Sequence, residues 1–129
     1  MARVEGMSEL EGNKATAVFG RLRKRKEIDR VYAVGVRIRG ASILLAAAPG
    51  LVNGETRLAL AVGKKYHKSA VTRNRLKRIF RAASKQCGWT GPALDIVLSP
   101  LKLGVPYRQE SSGQEILELL KKAAHKLPP

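Results

Sequence analysis

The sequence is poor in acidic residues and in cysteine, and each shortage excludes a class of protein. Its 129 residues hold 10 Asp and Glu against 25 Lys and Arg, which gives a formal net charge of +15. A surplus of this size in a small chain indicates a polyanionic partner and favours nucleic acid over a membrane surface. The single Cys87 cannot form an intramolecular disulfide, which excludes a disulfide-stapled secreted scaffold and predicts a cytoplasmic location.

The sequence also lacks long apolar runs. No run approaches 18 residues, and residues 1–18 carry three glutamates and no hydrophobic stretch. The chain is therefore predicted to have neither a membrane span nor a signal peptide, and no membrane partner is expected. Residues 1–18 show no sustained period and are expected to form a mobile N-terminal arm, followed by a single RNA-binding domain over residues 19–129.

Carboxylates are too scattered to predict a catalytic metal centre. A metal-dependent nuclease needs clustered carboxylates to hold cations and activate water. Between positions 20 and 109 only Glu27 and Asp29 are close in sequence, and on a helix they point to different sides. His67 and His125 have no Cys or His neighbours at ligand spacing. The sequence therefore predicts no catalytic and no metal-ligating residue, which disfavours a nuclease that acts by itself.

What the chain does contain is a basic segment over residues 64–85, with nine Lys and Arg and no Asp or Glu. From Ser69 onward apolar residues recur at i, i+3, i+4 and i+7, which predicts a helix with one buried face. Cations follow one another every four residues on the other face. The apolar set is Leu76, Ile79, Phe80 and Ala83, and the basic stripe comprises Arg73, Asn74, Lys77, Arg78, Arg81 and Lys85.

Phosphate binding explains this stripe better than solvation does. Like charges at i and i+4 repel by roughly a few tenths of a kcal/mol per pair, and no carboxylate is interleaved to relieve them. Solvated helix faces usually mix both signs of charge. Arginine outnumbers lysine within the helix, and a guanidinium can hold two phosphate oxygens at once.

Two further helices are predicted, one on each side of the basic segment. The first carries Ile28, Val31 and Tyr32 on one side. Tyr32 is either a core aromatic residue or a nucleotide-stacking residue. In the last helix, Ser112 and Glu115 have the spacing of a capping box in front of an apolar run. This spacing predicts that the last helix begins at Ser112.

Three strands are predicted from apolar runs. Residues 43–48 and 57–62 are joined by a hairpin-type signal at residues 53–54, which indicates an antiparallel pair. Residues 95–99 form the third strand. Because the basic helix connects the second strand to the third, these two strands are expected to be parallel.

The basic segment resembles a family signature. Residues 62–81, VGKKYHKSAVTRNRLKRIFR, resemble the hallmark of the bacterial ribonuclease P protein component, in which a Lys-Lys loop precedes an Arg-Asn-Arg helix. Residues 21–35, RLRKRKEIDRVYAVG, are similar to the family's first helix, and residues 93–100, ALDIVLSP, to its last strand. The similarity covers roughly residues 20–127.

The resemblance implies an α/β (α+β) sandwich. In this ribosomal-protein-S5-domain-2-like fold, helices pack on a small mixed sheet. The strand-helix-strand unit around the basic helix is then expected to have a left-handed crossover, whereas the general rule for such units predicts a right-handed one.

The resemblance also implies a function. The family's protein is the small subunit of a ribonucleoprotein whose RNA subunit removes the 5′ leader of precursor tRNA by magnesium-dependent hydrolysis. The expected partners are the ribonuclease P RNA and precursor tRNA, and magnesium is expected to be held by the RNA subunit and substrate, with no catalysis by the protein alone. The positions similar to those that face the RNA are Lys64, Lys65, Lys68, Arg73, Asn74, Arg75, Lys77, Arg78 and Arg81.

In this family a cleft beside the sheet holds the single-stranded leader. The matching positions here are Ile28, Tyr32 and Ala46. Because Ile28 replaces the usual Phe and Ala46 has no ring, only Tyr32 can stack on a base. A ribosomal or general basic RNA-binding protein is the alternative that composition alone allows.

Overall fold

The computed structural model describes residues 19–51 and 55–127. Within these residues the chain forms five strands and three helices. In chain order they are β1 (Phe19–Arg21), α1 (Arg25–Val34), β2 (Val36–Arg39), β3 (Ile43–Pro49), β4 (Thr56–Leu60), α2 (Ala70–Gln86), β5 (Leu94–Pro100) and α3 (Gln109–Lys126). The expected mixed α+β class is confirmed.

The strands form one mixed sheet in the order β1-β4-β5-β3-β2. β1 and β5 both pair with β4 in parallel, whereas β3 pairs antiparallel with β5 and with β2. The prediction that the strands flanking the basic helix are parallel is therefore confirmed. The predicted β3–β4 hairpin is wrong, because β5 lies between these two strands, and the turn signal at residues 53–54 falls outside the described residues.

Helices cover both faces of the sheet because successive residues of its strands point to opposite faces and are buried on both. One face buries small side chains and the other buries large ones. On one face, α1 packs through Val31 against small residues that include Ala46 and Ala59. On the other face, larger side chains such as Leu58 and Ile96 pack against α2 and α3. The small residues let α1 approach the sheet closely, while fully burying each large apolar side chain contributes about 1.5–3 kcal/mol.

Glycines fix the ends of two helices. α1 ends before Gly35, where a Cβ would overlap the carbonyl oxygens of Val31 and Ala47. α2 ends at Cys87 and is followed by Gly88, whose φ of 75° is a left-handed conformation that favours glycine.

The predicted capping box of the last helix is wrong. α3 begins at Gln109, so Ser112 is buried inside its first turns and does not cap it. Glu115 reaches across to the turn before β3, where its carboxylate accepts hydrogen bonds from the backbone N–H groups of Ser42 and Ile43 at 2.8 Å each. The spacing of Ser112 and Glu115 is thus the same whether the carboxylate caps its own helix or, as here, accepts hydrogen bonds from a distant turn.

Candidate nucleic-acid interface

The basic helix α2 starts where the sequence predicts. The Ser69 hydroxyl accepts a hydrogen bond from the N–H of Thr72 at 3.3 Å and so caps the helix. On the inner side Leu76 and Phe80 are buried, and Tyr107 packs edge-on against the Phe80 ring with 5.2 Å between the ring centroids. This packing turns the opposite face of α2 toward solvent.

The loop before α2 is held in place by Tyr66 and Arg73. Tyr66 is buried, and its hydroxyl donates a hydrogen bond to the carbonyl of Val105 at 2.9 Å. One guanidinium nitrogen of Arg73 donates to the carbonyls of His67 and Lys68 at 3.0 and 2.7 Å. The structure thus gives Arg73 a role in shaping the loop that its place in the stripe did not predict. The exposed cations of the loop are Lys64, Lys65 and Lys68.

The stripe of α2 is open to solvent and has no internal counterion. Asn74, Arg75 and Arg78 are exposed, while Lys77 and Arg81 are half-buried. Among the residues that the structure describes, no ion pair involves a basic residue of α2 or of the loop before it. Apart from screening by dissolved salt, such a surface lowers its self-repulsion by binding anions from another molecule.

Arg75 lies to one side of the stripe, as the helical wheel predicts. It borders a cavity of about 240 Å³ between α2 and the loop before α3. Tyr66 and Tyr107 are also among the residues that line this cavity. Arg75 therefore faces aromatic surroundings as well as solvent.

Two further cations lie near the stripe, Arg21 and Arg23, although the sequence pattern does not indicate it. Desolvation, followed by the charges of Arg21 and Arg23, lowers the pKa of Arg81 below its ordinary value. The charges of Arg21, at the end of β1, and of Arg23 are thus close enough to Arg81 of α2 to repel its charge. The sequence pattern does not indicate these neighbours because it does not predict strand β1. The parallel pairing of β1 with β4 brings Arg21 to this face of the sheet.

Two arginines on the opposite face of the sheet, Arg57 and Arg30, are neutralised by carboxylates. Asp95 of β5 is fully buried and accepts two hydrogen bonds from Arg57 of β4, at 3.0 and 2.9 Å. Arg57 also pairs with Glu27 of α1 at 3.0 Å, and Arg30 approaches Asp95 at 3.5 Å. The hydrogen bond to Asp95 is the main reason that the pKa of Arg57 is raised. This network ties α1 to the sheet.

The three residues assigned to the leader cleft all lie on this same face. Ile28 and Tyr32 of α1 are half-buried and pack against the apolar cluster that contains Ala46. Burial raises the pKa of Tyr32, and the Arg37 guanidinium lies 5.2 Å from the centre of its ring. Ala46 is 1% exposed, so it supports α1 from below and offers almost no surface of its own.

Three of the described carboxylates are engaged by arginines and do not suit a magnesium ion. Within residues 19–51 and 55–127, no three His, Cys, Asp or Glu side chains cluster as metal ligands. Asp95 and Glu27 are engaged by Arg57, and Asp29 pairs with Arg25 at 3.2 Å. Since a guanidinium and a metal ion compete for the same oxygens, these groups are poor ligands for a divalent cation.

A mixed sheet with helices on both faces and an un-neutralised cationic helix defines a class, the small basic α+β proteins that bind RNA. The protein-family model described as Ribonuclease P matches residues 18–125. The chain belongs to the ribonuclease P protein family. Ribonuclease P is an endoribonuclease that processes tRNA, and this family provides its protein subunit.

Individual relatives agree with this assignment. The ribonuclease P protein component of Pseudanabaena sp. is 35% identical over 104 residues, which cover 80% of this chain and 90% of that protein. The solved structure of the protein from Thermotoga maritima is 25% identical with a TM-score of 0.66, covering 79% of this chain and 96% of that one. A structure from Staphylococcus aureus, 21% identical with a TM-score of 0.64, covers 86% and 92% and supports the fold alone.

Proposed function

We propose that α2 and the loop before it bind the catalytic RNA of ribonuclease P. The observation that carries this proposal is the missing counterion: the described residues supply no carboxylate partner for any cation of this surface. Arginine guanidinium groups suit phosphate oxygens because they can donate two parallel hydrogen bonds. The proposed RNA contacts are Lys64, Lys65, Lys68, Arg73, Asn74, Arg75, Lys77, Arg78 and Arg81, extended by Arg21 and Arg23.

The opposite face binds the 5′ leader of precursor tRNA in this proposal. Tyr32 is the residue that supports it, because its half-buried ring has an apolar border and a guanidinium from Arg37 beside it. Aromatic rings and arginines are the side chains on which unpaired bases stack. Ile28 contributes apolar contact without stacking, and Ala46 supports the helix that carries both residues.

Magnesium belongs to the RNA subunit and the substrate in this proposal. Glu27 and Asp95 are held by Arg57, and the surface of α2 is cationic, so it repels divalent ions. The protein assists by lowering phosphate repulsion between the catalytic RNA and precursor tRNA. The complex works in the cytoplasm.

The test compares the purified chain with and without its cognate RNA. RNA-free protein should not cleave precursor tRNA at any magnesium concentration, while the reconstituted complex should release the leader and need less magnesium than the RNA alone. RNA-free protein that releases a correct leader, and loses this activity in Asp95→Asn or Glu55→Gln, would contradict the proposal.

RNA that copurifies with the chain separates this proposal from a general RNA-binding role. One structured non-coding RNA together with precursor tRNA is the expected result. Ribosomal RNA as the main species would favour the alternative, a basic ribosomal protein.

A further inference from the structure

A second cationic surface lies at the edge of the sheet away from β1. Here β2 and the last turns of α3 enclose a groove with a volume of about 500 Å³. β2 contributes Arg37, Ile38 and Arg39, of which Ile38 is buried and the two arginines are exposed. α3 contributes Lys121, Lys122, His125 and Lys126. We call this surface the β2–α3 groove.

The β2–α3 groove is separate from the α2 stripe. β2 is the last strand in the order β1-β4-β5-β3-β2, whereas β1 is the strand that carries Arg21 toward Arg81. The two cationic surfaces therefore lie at opposite edges of the sheet. One RNA segment bound along α2 does not account for both.

The charges of the groove are not balanced locally. No ion pair among the described residues involves Arg37, Arg39 or the lysines of the groove. Glu118, one turn earlier on α3, is exposed and forms no such pair, and Glu115 is engaged by the turn at Ser42. The helix dipole favours cations in the last turn of α3, but it gives no reason for two arginines on a neighbouring strand.

Arg37 connects the groove to the face that carries Tyr32. Its guanidinium lies over the Tyr32 ring at 5.2 Å, and the same residue lines the groove. A single strand that stacks on Tyr32 therefore meets Arg37 next and reaches Arg39 and the lysines of α3 beyond it. This continuity favours a nucleic-acid strand over an acidic peptide added to the edge of β2.

We propose that the β2–α3 groove binds the phosphates of leader nucleotides beyond those held beside Tyr32. This inference rests on the proposed function, because the nearer leader nucleotides must occupy the α1 face. The groove would thus make affinity depend on leader length. Longer leaders gain contacts with Arg39 and the lysines of α3, which short leaders do not reach.

The test uses the chain assembled with its catalytic RNA and precursors whose leaders are lengthened one nucleotide at a time. The variant Arg39→Gln with Lys122→Gln removes one arginine and one lysine of the groove. The matched control, Lys102→Gln with Arg108→Gln, removes the same charges from exposed positions before α3. The groove variant should bind short-leader precursors like the unmodified protein and lose the affinity gained with long leaders, while the control keeps it.

Salt dependence gives the size of the effect. Two lost phosphate contacts lower the slope of log affinity against log salt by about 1.4, since each contact on a single strand contributes about 0.7. Between 50 and 200 mM salt, the unmodified complex should therefore lose about sevenfold more affinity for long-leader precursor than the variant does.

Three results would overturn the inference. They are equal binding of long leaders by variant and control, weaker binding of the variant to the catalytic RNA itself, and competition by an acidic peptide with no dependence on leader length. Tyr32→Leu with the short leader tests the α1 face separately. A Tyr32 effect without a groove effect rejects the groove and keeps the cleft assignment. The absence of a Tyr32 effect rejects the cleft assignment, on which the groove depends.

Discussion

Arg57, beneath α1, and Arg78, on α2, have opposite electrostatic surroundings. Beneath α1, Arg57 is 11% exposed and shares its guanidinium between Asp95 and Glu27. On α2, Arg78 is exposed and has no carboxylate partner among the described residues. The number of charges therefore does not distinguish structural arginines from those that we propose to bind RNA. The position of the nearest carboxylate does.

The largest effect, on the free energy of unfolding, is expected when the buried pair of Arg57 and Asp95 is broken. Asp95→Ala leaves Arg57 buried without its main partner, which should lower the free energy of unfolding by about 3–5 kcal/mol. Asp29→Ala removes an exposed carboxylate that pairs with Arg25, and should cost less than about 1 kcal/mol. Denaturant unfolding of the two variants measures the difference. Equal stabilities would show that the network does not hold α1 to the sheet.

A smaller effect on binding, with none on assembly, is expected at Tyr32. Stacking of one base contributes about 1–3 kcal/mol, so Tyr32→Ala should reduce the preference for precursor over mature tRNA by that amount. Affinity for the catalytic RNA should not change. Tyr32→Leu keeps apolar volume at this half-buried position and should show the same loss. If both variants fold and the precursor preference is unaltered, Tyr32 is a core residue only.

The smallest effect should separate Arg73 from Arg78 within the stripe. Arg73 holds the loop carbonyls of His67 and Lys68, so Arg73→Ala should lower stability by about 0.5–1.5 kcal/mol and also weaken RNA binding. Arg78→Ala should weaken RNA binding with stability unchanged. Thermal unfolding and RNA affinity, measured on the same samples, test this division. Identical unfolding temperatures of the two variants would show that Arg73 has no structural role.

Much of the fold could be predicted from the sequence because local signals were strong. The 3.6-residue period of α2 and its beginning after Ser69 are local features, and the structure confirms both of them. The parallel relation of β4 and β5 followed from the helix between them. Ile28 and Tyr32 were placed on one side of α1 by the same period.

The errors share one physical cause, which is long-range pairing. β1 is only three residues long, and the place of β5 between β3 and β4 is set by contacts that no local pattern encodes. Glu115 likewise serves a turn 73 positions away in the chain. Arg21 and Arg23 were missed as neighbours of the stripe because they reach it only through β1.

The most direct measurement is the salt dependence of binding to the catalytic RNA. If five or more phosphates are neutralised, log affinity should fall with log salt at a slope of about 3.5 or steeper. Arg78→Gln should reduce this slope by about 0.7–0.9. Arg25→Gln, which removes an arginine that already has its own carboxylate, should leave the slope unchanged. A slope near zero, or equal losses from the two variants, would contradict the assignment of un-neutralised arginines to RNA binding.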